Sequence, residues 1–98
     1  MNYPAIAKEQ IPLQSFRHDE VLEGNAAKKK RQDQLLKAVD QNRLFYTKAR
    51  IVFDTTDQTE EVKANIWEVT DNHVVLNGGI SMPVCCIREV YLEGESDF

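Results

Sequence analysis

VKANIWEVTDNHVVLNGGISMPVCCIREV, residues 62–90, is the stretch on which the fold turns. Val62, Ala64 and Ile66 alternate with Lys63, Asn65 and Trp67, the period of two that marks a half-buried strand. Val69 falls on the wrong parity to continue that apolar face, so a bulge or sharp bend is expected near Trp67–Glu68. Asp71–Asn72 makes a tight turn, and His73–Leu76 a short strand after it. Asn77-Gly78-Gly79 is the clearest hairpin signal in the chain, since these residues tolerate the positive φ that tight hairpin turns require. Ile80–Val84 is the next strand, given an edge-like character by Pro83. Ile87 and Val90 stand three apart, which suits a single 3₁₀ turn, and Val90–Leu92 then closes as a short fifth strand.

Upstream, residues 46–54 also alternate, with Ala49, Ile51 and Phe53 opposite Lys48, Arg50, Val52 and Asp54; the polar run 55–60 is a turn. Before it, residues 25–43 change register entirely. Gly24 breaks the preceding segment, Asn25 is a good N-cap, and Ala, Lys, Gln, Leu and Arg dominate. Leu35, Leu36 and Val39 form a narrow apolar stripe, extended by Ala27 and Leu44, so the basic amphipathic helix is predicted to lie on the surface of the β unit. Residues 1–24, with Pro4, Pro12 and scattered apolar side chains, read as an extended arm with one helical turn near Arg17–Leu22, and 94–98 as an acidic tail. The resulting expectation is a mainly β chain with an N-terminal helix, in which residues 44–93 close into a small, strongly bent, five-stranded antiparallel barrel.

This order of elements resembles the Sm-like family, and the run from Val62 to Val90 resembles that family's core: an apolar-small-apolar strand, an aspartate turn, a V-V-L strand and an I-x-x-V ending. The wording is closer still to short Bacteroidetes proteins that carry an IxF strand, an IWxVTD run and a GGxxxP turn. The resemblance covers roughly residues 46–92 and implies a ring-forming homo-oligomer able to bind single-stranded RNA. Bacterial Sm-like host-factor proteins also carry a Lys-His pair ahead of the last strand. Val84 and Cys85 stand there in this chain, so no RNA-contacting residue is carried over from the family.

Composition narrows the function classes. The 98 residues are enough for one domain, and 42% apolar with 29% charged residues are ordinary globular values. The two cysteines, Cys85 and Cys86, are adjacent and cannot staple distant segments, which fits a reducing, cytoplasmic setting. The N-terminus lacks the basic-then-apolar pattern of a signal peptide, and no apolar run approaches the roughly 20 residues of a membrane span. Charge is divided: residues 1–50 carry ten Lys+Arg and six Asp+Glu, residues 51–98 two and ten. A basic helix and an acidic β unit suit head-to-tail neighbours as well as a nucleic-acid-binding arm.

Candidate residues follow from that division. Lys28, Lys29, Lys30 and Arg31 wrap around one helical turn and, with Arg43 and Tyr46 as a stacking ring, form the candidate nucleic-acid surface. Trp67 is expected to pack beneath the helix against Leu35, Leu36 and Val39; with Pro83 and Tyr91 it is otherwise a candidate interface anchor. His18, His73, Cys85 and Cys86 show no metal-ligand spacing, and the apolar context of residues 82–87 suits inert thiols. Glu60, Glu61, Glu68 and Asp71 read as solvated carboxylates at turns and strand ends. The sequence therefore points to a non-enzymatic module without metal or cofactor, acting by oligomeric assembly or partner binding, with single-stranded nucleic acid as the alternative ligand.

Overall fold

The computed structural model describes residues 3–93, so the acidic tail 94–98 lies outside the described residues. Strand β1 is Ala5–Ile6, followed by a 3₁₀ helix at Lys8–Leu13 and helix α1 at Asn25–Phe45. Strands β2 (Ala49–Asp54), β3 (Thr59–Ala64), β4 (Ile66–Val69), β5 (His73–Leu76), β6 (Ile80–Pro83) and β7 (Ile87–Leu92) follow. Gly24, at φ 83° and ψ 149°, occupies backbone space that is close to glycine-only, and this sets the angle at which the arm enters α1.

The closed five-stranded barrel is not formed. Among the described residues seven strands make two open sheets, ordered β1-β3-β2-β7 and β4-β5-β6. Two interruptions keep them apart. At Asn65, between β3 and β4, the chain turns from one sheet into the other. At Val84–Cys86 a turn, closed by the Ile87 N–H donating to Val84 O at 2.9 Å, separates β6 from β7. The arm supplies the seventh strand: β1 runs parallel to β3, with Ile6 opposite Val62. Its helical segment falls at Lys8–Leu13, not near Arg17–Leu22.

The bulge expected at Trp67–Glu68 is present, since pairing jumps from Ile66↔Leu76 to Glu68↔Val75. Gly78 (φ 91°) and Gly79 (φ 79°) supply the positive φ of the β5–β6 hairpin. The spacing of Ile87 and Val90 has a different cause from the expected 3₁₀ turn. Both belong to β7, which pairs Val52↔Glu89 and Phe53↔Ile87, so a bulge at Arg88 inserts the extra residue.

One apolar core lies between the sheets. Ile51 and Phe53 of β2, Val62 of β3, Ile66 of β4, Leu76 of β5, Met82 of β6 and Ile87 of β7 meet Leu35 of α1 and Ile11 of the arm there. Leu35 and Ile11 are fully buried, so neither the helix nor the arm is a surface ornament. The helix inserts the row Arg31, Leu35, Ala38 and Asn42, spaced four, three and four, which is one face of a 3.6-residue helix. Leu36 and Leu44 of the expected stripe lie on the exposed side, and Trp67 is half exposed on β4, the strand that α1 packs against. Among the described residues no helix is long and apolar enough to cross a membrane.

Candidate interaction surfaces

The sheet edges differ in what covers them. The outer edge of β3 is paired by β1, and the Glu61 N–H donates to Pro4 O at 2.9 Å. The arm continues over β6 through the 3₁₀ helix, then bridges Phe16 to Thr55. The Phe16 ring packs on Phe53 at 5.8 Å. The outer edge of β7 has no strand partner among the described residues. Glu93 donates its N–H to Lys48 O at 3.1 Å, which turns Glu93 toward the β2 side; alternation along an antiparallel strand then turns the backbone groups of Val90 and Leu92 outward.

Arg31 occupies the first position of that edge. Its Nη1 donates to the Ile87 carbonyl at 3.0 Å, and the same guanidinium holds Glu20 of the arm in a two-pronged ion pair at 2.5 and 2.7 Å. Arg31 is 8% exposed, which removes it from the candidate nucleic-acid surface. Only the periodicity of the helix face could have shown this, because the charge run hides it. The hydrogen bond from Arg31 holds the Glu20 carboxyl below its ordinary range, against a smaller opposing effect of burial. Between α1 and the β7 edge lies a cavity of about 280 Å³ with an apolar floor of Leu22, Ala27 and Val90 and a polar rim including Lys30, Gln34 and Arg88.

A second ion pair fixes the bulge. Arg88 Nε and Thr59 Oγ1 both donate to Asp54 Oδ1 at 2.7 Å. Burial pushes the Asp54 carboxyl up, but the two donors outweigh it and the net direction is downward. On the outer face of the first sheet, Arg50 stacks over the Tyr91 ring at 4.7 Å and reaches Glu61 at 3.4 Å. The Tyr91 hydroxyl donates to Glu89.

The C-terminal end of α1 is fastened differently. Tyr46 closes the helix in the left-handed region at φ 54°, its N–H donating to Asn42 O at 2.9 Å. Asn65 Nδ2 donates to Asn42 Oδ1 at 2.8 Å and to Tyr46 O at 2.9 Å. Asn65 itself is held by Asn77, whose N–H donates to Asn65 O at 2.9 Å. Leu44, Phe45 and Tyr46 are 68, 67 and 83% exposed. Beside Asn65 a cavity of about 210 Å³ is lined by Lys8, Glu9, Lys48, Lys63, Asn65 and Asn77 among others.

Comparison with protein-family models, with curated proteins and with solved structures finds no match for the chain. The resemblance to Sm-like proteins therefore rests on the wording of the sequence.

The candidate residues named from sequence are dispersed. Lys28, Lys29 and Lys30 are exposed at the start of α1, with Lys29 engaging Asp33 at 3.5 Å. Arg43 and Tyr46 stand near its other end, fifteen residues or about 22 Å further along, too far to act as one small site with the block. Trp67, Pro83 and Tyr91 lie on three different strands, half exposed or half buried. Glu60, expected in solvent, is buried on the core side of β3, with its Oε2 accepting from Gln58 Nε2 at 2.9 Å. The Cys86 thiol is pushed up to about 12, chiefly by burial, which keeps it protonated. Lysines 8, 48 and 63 carried no signal in the sequence, because each sits alone on its own element.

Proposed function

We propose that this chain is a non-enzymatic assembly module that joins neighbouring chains, copies of itself first, by strand pairing along β7. The observation that carries the reading is the outer edge of β7, which has no strand partner among the described residues and turns the Val90 and Leu92 backbone groups away from β2. An unpaired edge is a ready template for another strand, and natural folds cover or charge the edges they do not use. This fold pairs the β3 edge with a strand of its arm and gives β7 no strand partner among the described residues, only the flank of α1. The distribution of charge supports a second copy as the occupant. Helix α1 holds six Lys+Arg against two Asp+Glu, while residues 46–98 hold four against ten. A basic helix beside the open edge attracts the acidic body of a neighbour, the heterologous geometry that closes into a ring when the rotation allows.

The test is solution mass by light scattering over a dilution series, at low and at high salt. A discrete oligomer that dissociates on dilution, and more readily at high salt, is the expected result. A monomer at every concentration contradicts the reading.

A further inference from the structure

We infer that the cavity between α1 and the β7 edge binds a small amphipathic monoanion, a carboxylate on an apolar chain or ring, about ten heavy atoms in all. The site is complete within a single chain and does not depend on strand pairing along β7.

The first ground is a surplus of free donors. The helix face Ala27, Lys30, Arg31 and Gln34, spaced three, one and three, meets Arg88 and Val90 of β7 around this one cavity. Among the described residues neither Lys30 Nζ nor the Gln34 amide makes a hydrogen bond or ion pair. Arg88 donates only from Nε, to Asp54, which leaves both of its Nη groups free. The one acid of the lining, Glu89, takes the Tyr91 hydroxyl. Arg31 forms part of the wall and is more than nine-tenths buried, yet its Nε has no hydrogen-bond partner. Buried donors are seldom left unpaired, and a bound acceptor accounts for this one. The helix adds to the same sign. No side chain caps the start of α1 at Asn25, one turn before Lys30, so the positive end of its dipole is not neutralised there.

The second ground is the floor. Leu22, Ala27 and Val90 make it apolar, so an inorganic anion would leave it uncovered, while a hydrocarbon would bury the rim donors without an acceptor. A volume of about 280 Å³ is nearly twice the roughly 150 Å³ that holds a benzene ring, which sets the size of the ligand. Charge selects a monoanion. Arg31 is matched by Glu20 and Arg88 by Asp54, so Lys30 is the one cation of the lining without a carboxylate partner. A phosphate dianion would bring more charge than that surplus meets.

The experiment is a titration of the full ¹⁵N-labelled chain with sodium octanoate, followed by amide shifts in NMR, with acetate, octylammonium and octyl phosphate in parallel. Octanoate should bind with a Kd on the order of 0.1–1 mM and move the amides of Ala27, Lys30, Gln34 and Val90 most. Acetate lacks the apolar body, and the other two carry the wrong charge, so each should bind at least about fivefold more weakly. Lys30→Glu should weaken octanoate binding about fivefold or more, and Ala27→Met, which fills the floor, by a similar factor. Lys28→Glu combined with Lys29→Glu changes the same charge run outside the cavity and should cost less than about twofold. Melting temperatures recorded for each variant separate lost binding from lost fold. Absence of shifts up to about 10 mM octanoate overturns the inference. So does octylammonium or octyl phosphate binding as tightly as octanoate, or a loss in the Lys28/Lys29 variant equal to that of Lys30→Glu. Solution mass measured on the same samples tests strand pairing along β7 separately.

Discussion

The outer edges of β3 and β7, on either side of β2, are finished by different means. On the β3 side the arm adds a strand, buries Ile11 in the core and packs Phe16 against Phe53. On the β7 side a single guanidinium takes one carbonyl, and the flank of α1 lies beside the rest of the edge across an apolar-floored cavity. Strand pairing is thus completed on one flank and not on the other. The difference lies in how the arm meets each flank: it adds a strand to β3, and it reaches the β7 side only through Glu20 on Arg31 and Leu22 in the cavity floor.

The largest way to break this comparison is to remove the covered side's anchor. Ile11→Ala deletes a fully buried side chain and is expected to cost about 2–5 kcal/mol in urea denaturation. It should also speed amide exchange at Glu61, which donates to Pro4 of the arm. A loss under 1 kcal/mol would mean that the arm is only loosely attached.

Next in size is Arg31→Met, which removes the one cap on the open side. Glu20 can rehydrate because it is partly exposed, so the expected cost is about 1–3 kcal/mol. The same change frees the Ile87 carbonyl, and association measured by light scattering should strengthen or hold. Weaker association would show that Arg31 belongs to the interface.

A smaller effect comes from pH. Glu20 and Asp54 both have carboxyl groups held below their ordinary range in the fold, through Arg31 for Glu20 and through Arg88 and Thr59, against burial, for Asp54. A group depressed in the folded state adds stability that is fully present above its unfolded value, about 4, and is lost as pH falls through the folded value. Denaturant midpoints should therefore be flat from neutral pH down to about 5 and fall below about 4, with Glu20→Gln removing part of that slope. A midpoint unchanged at pH 3 would contradict these pairings.

The sequence carried the local turns better than the global closure. Asn77-Gly78-Gly79 and the bulge at Trp67 were legible because each depends on residues within one turn of chain. The spacing of Ile87 and Val90 was misleading, since three apart describes a bulged strand as well as a 3₁₀ turn, and only the partner β2 distinguishes them. Whether β6 would pair with β7 depends on chain geometry at Val84–Cys86 that no single residue states, so a closed barrel was expected where two open sheets formed. The arm's attachment is hard to read in the sequence because Pro4 and Pro12 interrupt any period, while its anchoring rests on single side chains such as Ile11 and Glu20. Of the candidate sites, the Lys28–Arg31 run was visible as a run, but its fourth member faces inward. Lys8, Lys48 and Lys63 become neighbours only through the pairing of β3 with β2 and the path of the arm.

The most direct test of the open edge is backbone amide exchange followed by NMR at high and at low protein concentration. Assembly through β7 predicts that the Val90 and Leu92 amides exchange slowly in the concentrated sample and lose that protection on dilution, while Tyr91, turned toward β2, stays protected in both. Val90 and Leu92 amides that exchange equally fast at both concentrations, in a sample shown to be oligomeric, would place the contact elsewhere and contradict the account.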